Sequence, residues 1–132
     1  MGISVARTRS NTEIGRIGEY LAREHLMARG YVIVESNWRC AAGEIDLVAR
    51  DGSTWAFVEV KTRRSDRFGT PEEAITPAKQ RRLLDCGLAY VAEHDLGEVE
   101  WRIDVVSIRL ERGGAPGEIR VYQHAVSDNG SF

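Results

Sequence analysis

The sequence of 132 residues is 42% hydrophobic and 29% charged, an ordinary composition for a soluble globular protein. This length predicts a single domain, residues 12–126, between flexible tails at residues 1–11 and 127–132. No apolar run is long enough to span a membrane and no signal peptide is recognisable, which predicts a cytoplasmic protein. The net charge of −2 excludes a generally basic nucleic-acid binder. Cys40 and Cys86 lack metal-ligand spacing and are typical of reduced thiols.

The first predicted element is a helix from about residue 12 to residue 29, with Gly30 as its stop. The helical spacing predicts that one face carries Ile14, Ile17, Gly18, Leu21, His25 and Ala28. Glu19 lies to one side of that face, and two interpretations are open. It is either an exposed residue paired with Arg23 four positions later, or a carboxylate that reaches a charged cluster elsewhere in the fold.

Three strands are predicted next, the last two of them joined by a tight turn. After a β-branched run at Tyr31–Glu35, the stretch Gly43–Lys61 reads GEIDLVARDGSTWAFVEVK, with apolar runs on both sides of Asp51-Gly52. This dipeptide tolerates the positive φ angles of a hairpin turn. If the hairpin loop has an even number of residues, Asp46 and Glu59 share a face of the sheet, whereas an odd number separates them.

The charged residues of this hairpin suggest a metal site. Alternation places Glu44 beside Asp46 and Lys61 beside Glu59, so an even loop would gather three carboxylates and one ammonium. Close carboxylates stay ionised when a cation offsets them, and a small set of hard oxygen ligands suits Mg²⁺ or Mn²⁺. A nearby lysine then suits metal-assisted phosphodiester hydrolysis. An amphipathic hairpin with a solvated charged face has the same pattern, and the residues alone leave both interpretations open.

A basic segment follows the hairpin. Residues 61–82 contain seven Lys or Arg and three Asp or Glu, whereas residues 83–132 contain four and nine. We expect a loop at residues 62–70, where basic side chains beside Phe68 suit either a nucleic-acid backbone or an ordinary flexible loop. A solvated run of charge is the alternative for the whole segment. The candidate phosphate contacts are Arg39, Arg63, Arg64, Arg67, Lys79 and Arg82.

A short helical turn at Thr70–Glu73 and a longer helix from Thr76 to about His94 are predicted by their capping residues and prolines. The apolar contacts of this region are expected from Ile75, Leu83, Leu84, Leu88 and Val91. Alternating apolar residues then predict a strand over 99–110 and a last strand over 119–126, the latter at an edge. Asp104 lies away from the hairpin, so we expect it to make a structural hydrogen bond or ion pair.

Five ordered motifs resemble those of a known family. They are G-R-x-G-E at Gly15–Glu19, N-W-R-C at Asn37–Cys40, G-E-I-D-L-V at Gly43–Val48, F-V-E-V-K-T-R at Phe57–Arg63 and R-I-D-V-V at Arg102–Val106. Over residues 12–126 the chain resembles the YraN family, bacterial proteins related to the PD-(D/E)xK nucleases and similar to archaeal Holliday-junction resolvases. It departs from the superfamily pattern in that Ile45, rather than proline, precedes Asp46.

The resemblance implies an α/β, restriction-endonuclease-like fold in which helices flank a mixed central β-sheet with an α-β-β-β-α-β core. It also implies roles for the hairpin residues. Asp46 and Glu59 would bind Mg²⁺ or Mn²⁺ together with the carbonyl of Val60, and Lys61 would position water and stabilise phosphate charge. Glu44 would support these ligands or form a structural ion pair.

Two residues on helices are added to the candidate site by the same resemblance. Glu19 would hold a metal ion or its water, which reverses the preference that helical spacing alone gives for an exposed residue. Gln80 would orient the attacking water or a phosphate, although a surface position is an equal alternative.

We therefore expect a Mg²⁺-dependent endonuclease that hydrolyses DNA phosphodiester bonds, with duplex, single-stranded or branched DNA as its partner and no membrane partner. Two other classes stay open, namely a nucleic-acid-binding module that does not cut and a structural or adaptor protein. Cutting two symmetric strands would require a homodimer, for which an unpaired apolar edge strand is the candidate surface.

Overall fold

The structure is a computed structural model, and it describes residues 11–64 and 75–126. In these residues the chain forms, in order, α1 (Asn11–Ala28), β1 (Val32–Cys40), β2 (Gly43–Asp51), β3 (Thr54–Arg64), α2 (Pro77–Glu93), β4 (Trp101–Leu110) and β5 (Pro116–Val126). A short 3-10 turn at Arg112–Gly114 joins the last two strands. The predicted flexible tails and the predicted helical turn at Thr70–Glu73 lie outside the described residues.

The five strands form one sheet in the order β1-β2-β3-β4-β5. The pairs β1–β2, β2–β3 and β4–β5 are antiparallel, whereas β3 and β4 are parallel and are separated in sequence by α2. Parallel neighbours need such a crossover, and a helix is its usual form. The mixed sheet and the α-β-β-β-α-β core confirm the predicted fold class, and β5 lies at an edge as expected.

Each helix covers its own face of the sheet with a separate core. Ala22 and Leu26 of α1 pack with the group Leu47, Ala49, Ala56, Val58, Val106, Ile108 and Leu110. On the other face, α2 packs with the group Ile45, Val48, Phe57, Ile103 and Val126. The expected contact of Leu88 is wrong, because this side chain is 57% exposed. Leu88 is two residues from both Cys86 and Tyr90, which face the sheet, and two residues turn a helix by about 200°.

The hairpin has the geometry that brings Asp46 and Glu59 together. Asp51 pairs with Thr54, so the loop is the two-residue Gly52-Ser53, and Gly52 has a φ of 65°. The even loop confirms the expected register, in which Leu47 pairs with Val58, so that Asp46 and Glu59 follow directly after the last pair.

The predicted loop at residues 62–70 is wrong for residues 62–64, which belong to β3. β3 continues to Arg64, because β4 pairs with it in parallel as far as Leu110 and supplies backbone hydrogen bonds. Arg63 and Arg64 therefore lie on a strand. Arg67 and Phe68 lie outside the described residues. No helix within residues 11–64 and 75–126 has the length and apolar character needed to cross a membrane.

Asp104 has the structural role that its position in the sequence suggested. Its carboxylate is fully buried and accepts hydrogen bonds from Arg102 Nε at 2.9 Å, Tyr31 Oη at 3.0 Å and the His124 main-chain N at 2.9 Å. Arg102 also donates to Asp51 at 2.8 Å. This buried ion pair ties the start of β1, the hairpin turn and β5 together at the end of β4 away from Lys61.

The contact between α1 and β3 depends on a glycine. A Cβ atom built at Gly18 would overlap Thr62 Oγ1 and lie 3.0 Å from Thr62 Cβ. Only a residue without a side chain allows the helix axis to come this close to the strand. The close approach places the neighbouring Glu19 next to the end of β3 that carries Lys61.

Gly18→Ala should therefore destabilise the protein by about 1–3 kcal/mol, the usual cost of overpacking. Gly15→Ala is the matched control on the same helix, since nothing lies within 4 Å of a Cβ built there. This control should be neutral or stabilising by up to about 1 kcal/mol, through higher helix propensity. Urea denaturation of the two variants measures the difference, and equal stability would contradict the close packing of α1 on Thr62.

Candidate functional site

Strand β2 changes its packing at Asp46. Strict alternation would place Ile45 and Leu47 on the same face of the sheet. Instead, Ile45 lies in the core under α2 and Leu47 lies in the core under α1. The simple alternation assumed for the whole of this strand is therefore wrong at Asp46, because the backbone is distorted there.

The distortion separates the ends of β2 and β3. Their pairing extends as far as Leu47 opposite Val58. Past that pair, Asp46 Oδ2 accepts a hydrogen bond from the main-chain N of Val60 at 2.8 Å. The Asp46 carboxylate thus lies between the two strands, where it holds the end of β3 and faces Glu59.

A cavity of about 220 Å³ lies at this point between the hairpin and the first turns of α2. It is lined by Gly43, Glu44, Asp46, Glu59, Lys79, Arg82, Leu83 and Cys86. Pockets for drug-sized organic ligands are larger, at roughly 300–1,000 Å³. The size and the charged lining suit a hydrated ion and a phosphate group better than an organic molecule.

The carboxylates of the site repel one another. Burial, followed by the negative charge of Glu59, raises the pKa of Asp46 from its ordinary value of 3.8 to about 8, and the hydrogen bond from Val60 N opposes part of this rise. Glu19 and Glu44 also act on Asp46 through their charges. The structure thus brings four predicted carboxylates, from α1, β2 and β3, near enough to one another that the other three all disfavour the ionised form of Asp46.

Two lysines lie beside these carboxylates. Lys61 Nζ is 3.2 Å from Glu59 Oε2, and both side chains are largely buried. A hydrogen bond with Lys61, together with burial, lowers the pKa of Lys79. Lys79, which was predicted as a phosphate contact, lines the cavity together with Arg82.

The other predicted residues occupy different positions around the cavity. Gln80 is buried, so the surface alternative is wrong. Gln80 is not among the described residues that line the cavity, and its Nε2 donates to the main-chain O of Ile75 at 3.1 Å.

Arg39 is exposed, and its Nε lies 3.8 Å from Glu44 Oε2, which is the ion pair that was one of the two roles expected for Glu44. Val60 contacts Asp46 through its N–H, and the proposed role of its carbonyl stays a prediction.

The cysteines near the cavity do not form a nucleophile. Cys40 Sγ and Cys86 Sγ are 3.7 Å apart, and both residues are free thiols, as predicted. Burial, followed by the neighbouring Cys40, raises the pKa of Cys86 to about 12. Since the thiolate is the reactive form, this protonated thiol contributes packing to the cavity wall.

The chemistry of the donor set fits a divalent cation. Asp46 and Glu59 face each other, and their repulsion is relieved when a cation binds between them. Within residues 11–64 and 75–126, no three His, Cys, Asp or Glu side chains converge closely enough, as they stand, to hold one ion. Magnesium nevertheless keeps several waters and takes as few as one or two protein carboxylates. The pair formed by Asp46 and Glu59 satisfies that requirement.

Sequence reasoning missed Asn37, which lies next to the site on β1. It has a φ of 57°, and its Nδ2 donates to Glu19 Oε1 at 3.2 Å. Asparagine is one of the few residues that adopt this backbone region readily. An asparagine two residues after the predicted strand Tyr31–Glu35 was the available signal of a local distortion, and the observed strand β1 continues through it to Cys40.

A mixed sheet between two helices, with an acidic cavity at its central hairpin, defines an α/β protein with a nuclease-like fold. The model of "Uncharacterised protein family UPF0102" matches residues 18–108. A UPF0102 protein of Beutenbergia cavernae is 51% identical over 107 residues, which cover 81% of this chain and 91% of the relative. A UPF0102 protein of Syntrophus aciditrophicus is 43% identical over 115 residues, which cover 87% and 91%.

The chain therefore belongs to family UPF0102, and the resemblance to the YraN family is confirmed. The names of these relatives state no activity, so the function has to be inferred from the site.

The raised pKa of Asp46 leads to a prediction about how folding stability depends on pH. Because the folded state disfavours the ionised carboxylate, folding loses stability as the pH rises from about 4 to about 8. Asp46→Asn keeps an oxygen that accepts from Val60 N and removes the charge. In EDTA, the melting temperature of this variant should exceed that of the wild type by several degrees at pH 8.5, with a smaller difference at pH 5.

Glu93→Gln is the control for this comparison, since Glu93 is an exposed carboxylate at the opposite end of α2 from Lys79. Its melting temperature should follow that of the wild type at both pH values. An Asp46→Asn variant that is less stable than the wild type at pH 8.5 would show that the carboxylate is not repelled as described.

Proposed function

We propose that this protein is a Mg²⁺- or Mn²⁺-dependent endonuclease that hydrolyses DNA phosphodiester bonds. The observation that carries the proposal is the placement of Asp46 and Glu59 together in a partly buried cavity, with Lys61 at 3.2 Å from Glu59. Carboxylates beside a phosphate weaken binding unless a cation lies between them, so a site that only bound DNA would gain nothing from this pair. A bound divalent cation supplies Lewis-acid polarisation of a phosphoryl oxygen.

The residues of the hairpin have separate roles in this proposal. Asp46 and Glu59 hold the cation, and the hydrogen bond from Val60 N fixes the orientation of the Asp46 carboxylate. Glu59 in turn holds the Lys61 ammonium at the cavity, where its charge stabilises the negative charge that develops on the phosphate. Because the Lys61 side chain is only 18% exposed, its charge is weakly screened by water.

Positive charge on the opposite wall favours a nucleic-acid backbone. Lys79 and Arg82 of α2 line the cavity across from the hairpin carboxylates. Arg63 and Arg64 follow Lys61 along β3 and extend the positive charge away from the cavity. We propose these four residues as phosphate contacts, with Arg39 and Arg67 as further candidates. A four-way junction or another branched DNA is the proposed preferred substrate, on the basis of the resemblance to resolvases.

Cleavage of labelled single-stranded, duplex, flap and four-way-junction DNA in Mg²⁺, Mn²⁺ or EDTA tests the proposal. We expect metal-dependent cutting by the wild type, and a loss of about 100-fold or more in both Glu59→Gln and Lys61→Met. Glu93→Gln should cut at the wild-type rate. Lys79→Gln should reduce the dependence of DNA affinity on salt by about one unit of the log–log slope, as expected for one phosphate contact.

The alternatives give different results in the same experiments. Folded wild-type protein that binds junction DNA equally with and without Mg²⁺, and never cuts, would indicate a binding module. Protein without salt-sensitive DNA binding at low ionic strength would indicate an adaptor. Either result would contradict the proposed activity.

A further inference from the structure

We propose that Asn37 is a positioning residue that holds the Glu19 carboxylate at the metal site, an inference that rests on the proposed function. The first observation is the direct contact between the two side chains. Asn37 Nδ2 donates to Glu19 Oε1 at 3.2 Å across 18 residues of sequence. An amide donor restrains a carboxylate without neutralising its charge, so Glu19 keeps its capacity to attract a cation.

The second observation is the level of Asn37 in the sheet. Ser36 pairs with Leu47 and Trp38 pairs with Ile45, so Asn37 lies opposite Asp46. The distortion of β2 at Asp46 is therefore matched by a residue with a φ of 57° on the neighbouring strand. The left-handed conformation at Asn37 and the change of packing at Asp46 belong to one irregular position across two strands.

The third observation concerns the geometry around Glu19. Gly18 brings α1 against Thr62, and the charge of Glu19 acts on Asp46. Glu19 is partly exposed, and its long side chain has several rotamers in that setting. The bond from Asn37 selects among them from the side of β1, while the packing of α1 against Thr62 fixes only the backbone position of residue 19.

The identity of residue 37 follows from two requirements that act together. The backbone requires a residue that tolerates positive φ, which favours Gly, Asn, Asp and His. Glu19 requires a hydrogen-bond donor. Glycine has no side-chain donor and aspartate would repel Glu19, so of these four residue types only asparagine and histidine meet both requirements.

The experiment is a double-mutant cycle read by Mn²⁺ affinity, measured by titration calorimetry, and by cleavage kinetics. Asn37→Gly keeps the backbone conformation and removes the amide, and Glu19→Gln removes the carboxylate charge. Residues that orient metal ligands typically contribute about 10- to 100-fold in metal affinity or activity. We expect Asn37→Gly to weaken Mn²⁺ binding by about tenfold with little change in melting temperature, and to lower kcat more than it raises KM.

The decisive comparison is the effect of Asn37→Gly in the Glu19→Gln background. If Asn37 acts through Glu19, the second substitution should cause no further loss of Mn²⁺ affinity. A purely structural role would produce the same loss in both backgrounds and would overturn the inference. Asp95→Gly is the matched control, because Asp95 also has a φ of 57° and follows the end of α2. Its Mn²⁺ affinity should equal that of the wild type.

An exchange of the two groups adds a second test. In the Asn37→Asp, Glu19→Gln double variant, an amide at residue 19 donates to a carboxylate at residue 37, so the contact is restored in reverse. We expect thermal stability to recover relative to Asn37→Asp alone, while Mn²⁺ affinity stays reduced because the charge has moved to β1. Full recovery of Mn²⁺ affinity would overturn the proposed positioning of Glu19.

The outcomes separate this inference from the proposed function. Wild-type protein that binds Mn²⁺, with an unchanged affinity in Asn37→Gly, would overturn the positioning role alone. Wild-type protein that binds Mn²⁺ without cutting DNA would contradict the proposed nuclease activity. The double-mutant cycle in Mn²⁺ affinity would then still test the role of Asn37. Wild-type protein that binds no Mn²⁺ would overturn both.

Discussion

The hydrogen bond from Val60 N to the Asp46 carboxylate, at 2.8 Å, is the contact on which the site depends. It forms where β2 leaves its regular pairing with β3. The Asp46 side chain, which would otherwise lie on the surface of the sheet, therefore connects the two strands. Glu59 then faces Asp46 across the opening. The same distortion allows Ile45 to pack under α2, so the site and the place of Ile45 in the second core arise from one irregularity in the backbone.

The remaining structure surrounds this point from three sides. Gly18 lets α1 approach β3 and presents Glu19, α2 presents Lys79 and Arg82, and the parallel pairing with β4 holds Lys61 on a rigid strand. The result is unfavourable for folding by itself, since a largely buried carboxylate with a pKa near 8 opposes stability at neutral pH. Strain of this kind is typical of sites whose charge is completed by a ligand. The buried network around Asp104 lies elsewhere and stabilises the scaffold.

Much of the fold was predictable because its signals are local. The capping threonine and proline at the start of α2, the glycine that ends α1, and the Asp-Gly turn each act within a few residues, and all three elements formed near the predicted positions. The limits of β3 were predicted less well. A strand end depends on its partner, and the length of β4 was decisive for Arg63 and Arg64. Leu88 was misplaced because helical spacing identifies several apolar faces, and packing selects one of them.

The sequence by itself determined the family, the order of the elements, and the residue types of the site, because motifs and turns depend on residues that are close together in the sequence. The tertiary structure alone decided that Glu19 and Lys79 join the hairpin residues, that Gln80 is buried, and that Asn37 contacts Glu19. These are contacts between elements that are distant in sequence. They depend on the close approach of α1 through Gly18 and on a backbone distortion at Asp46 and Asn37, which no periodic pattern encodes.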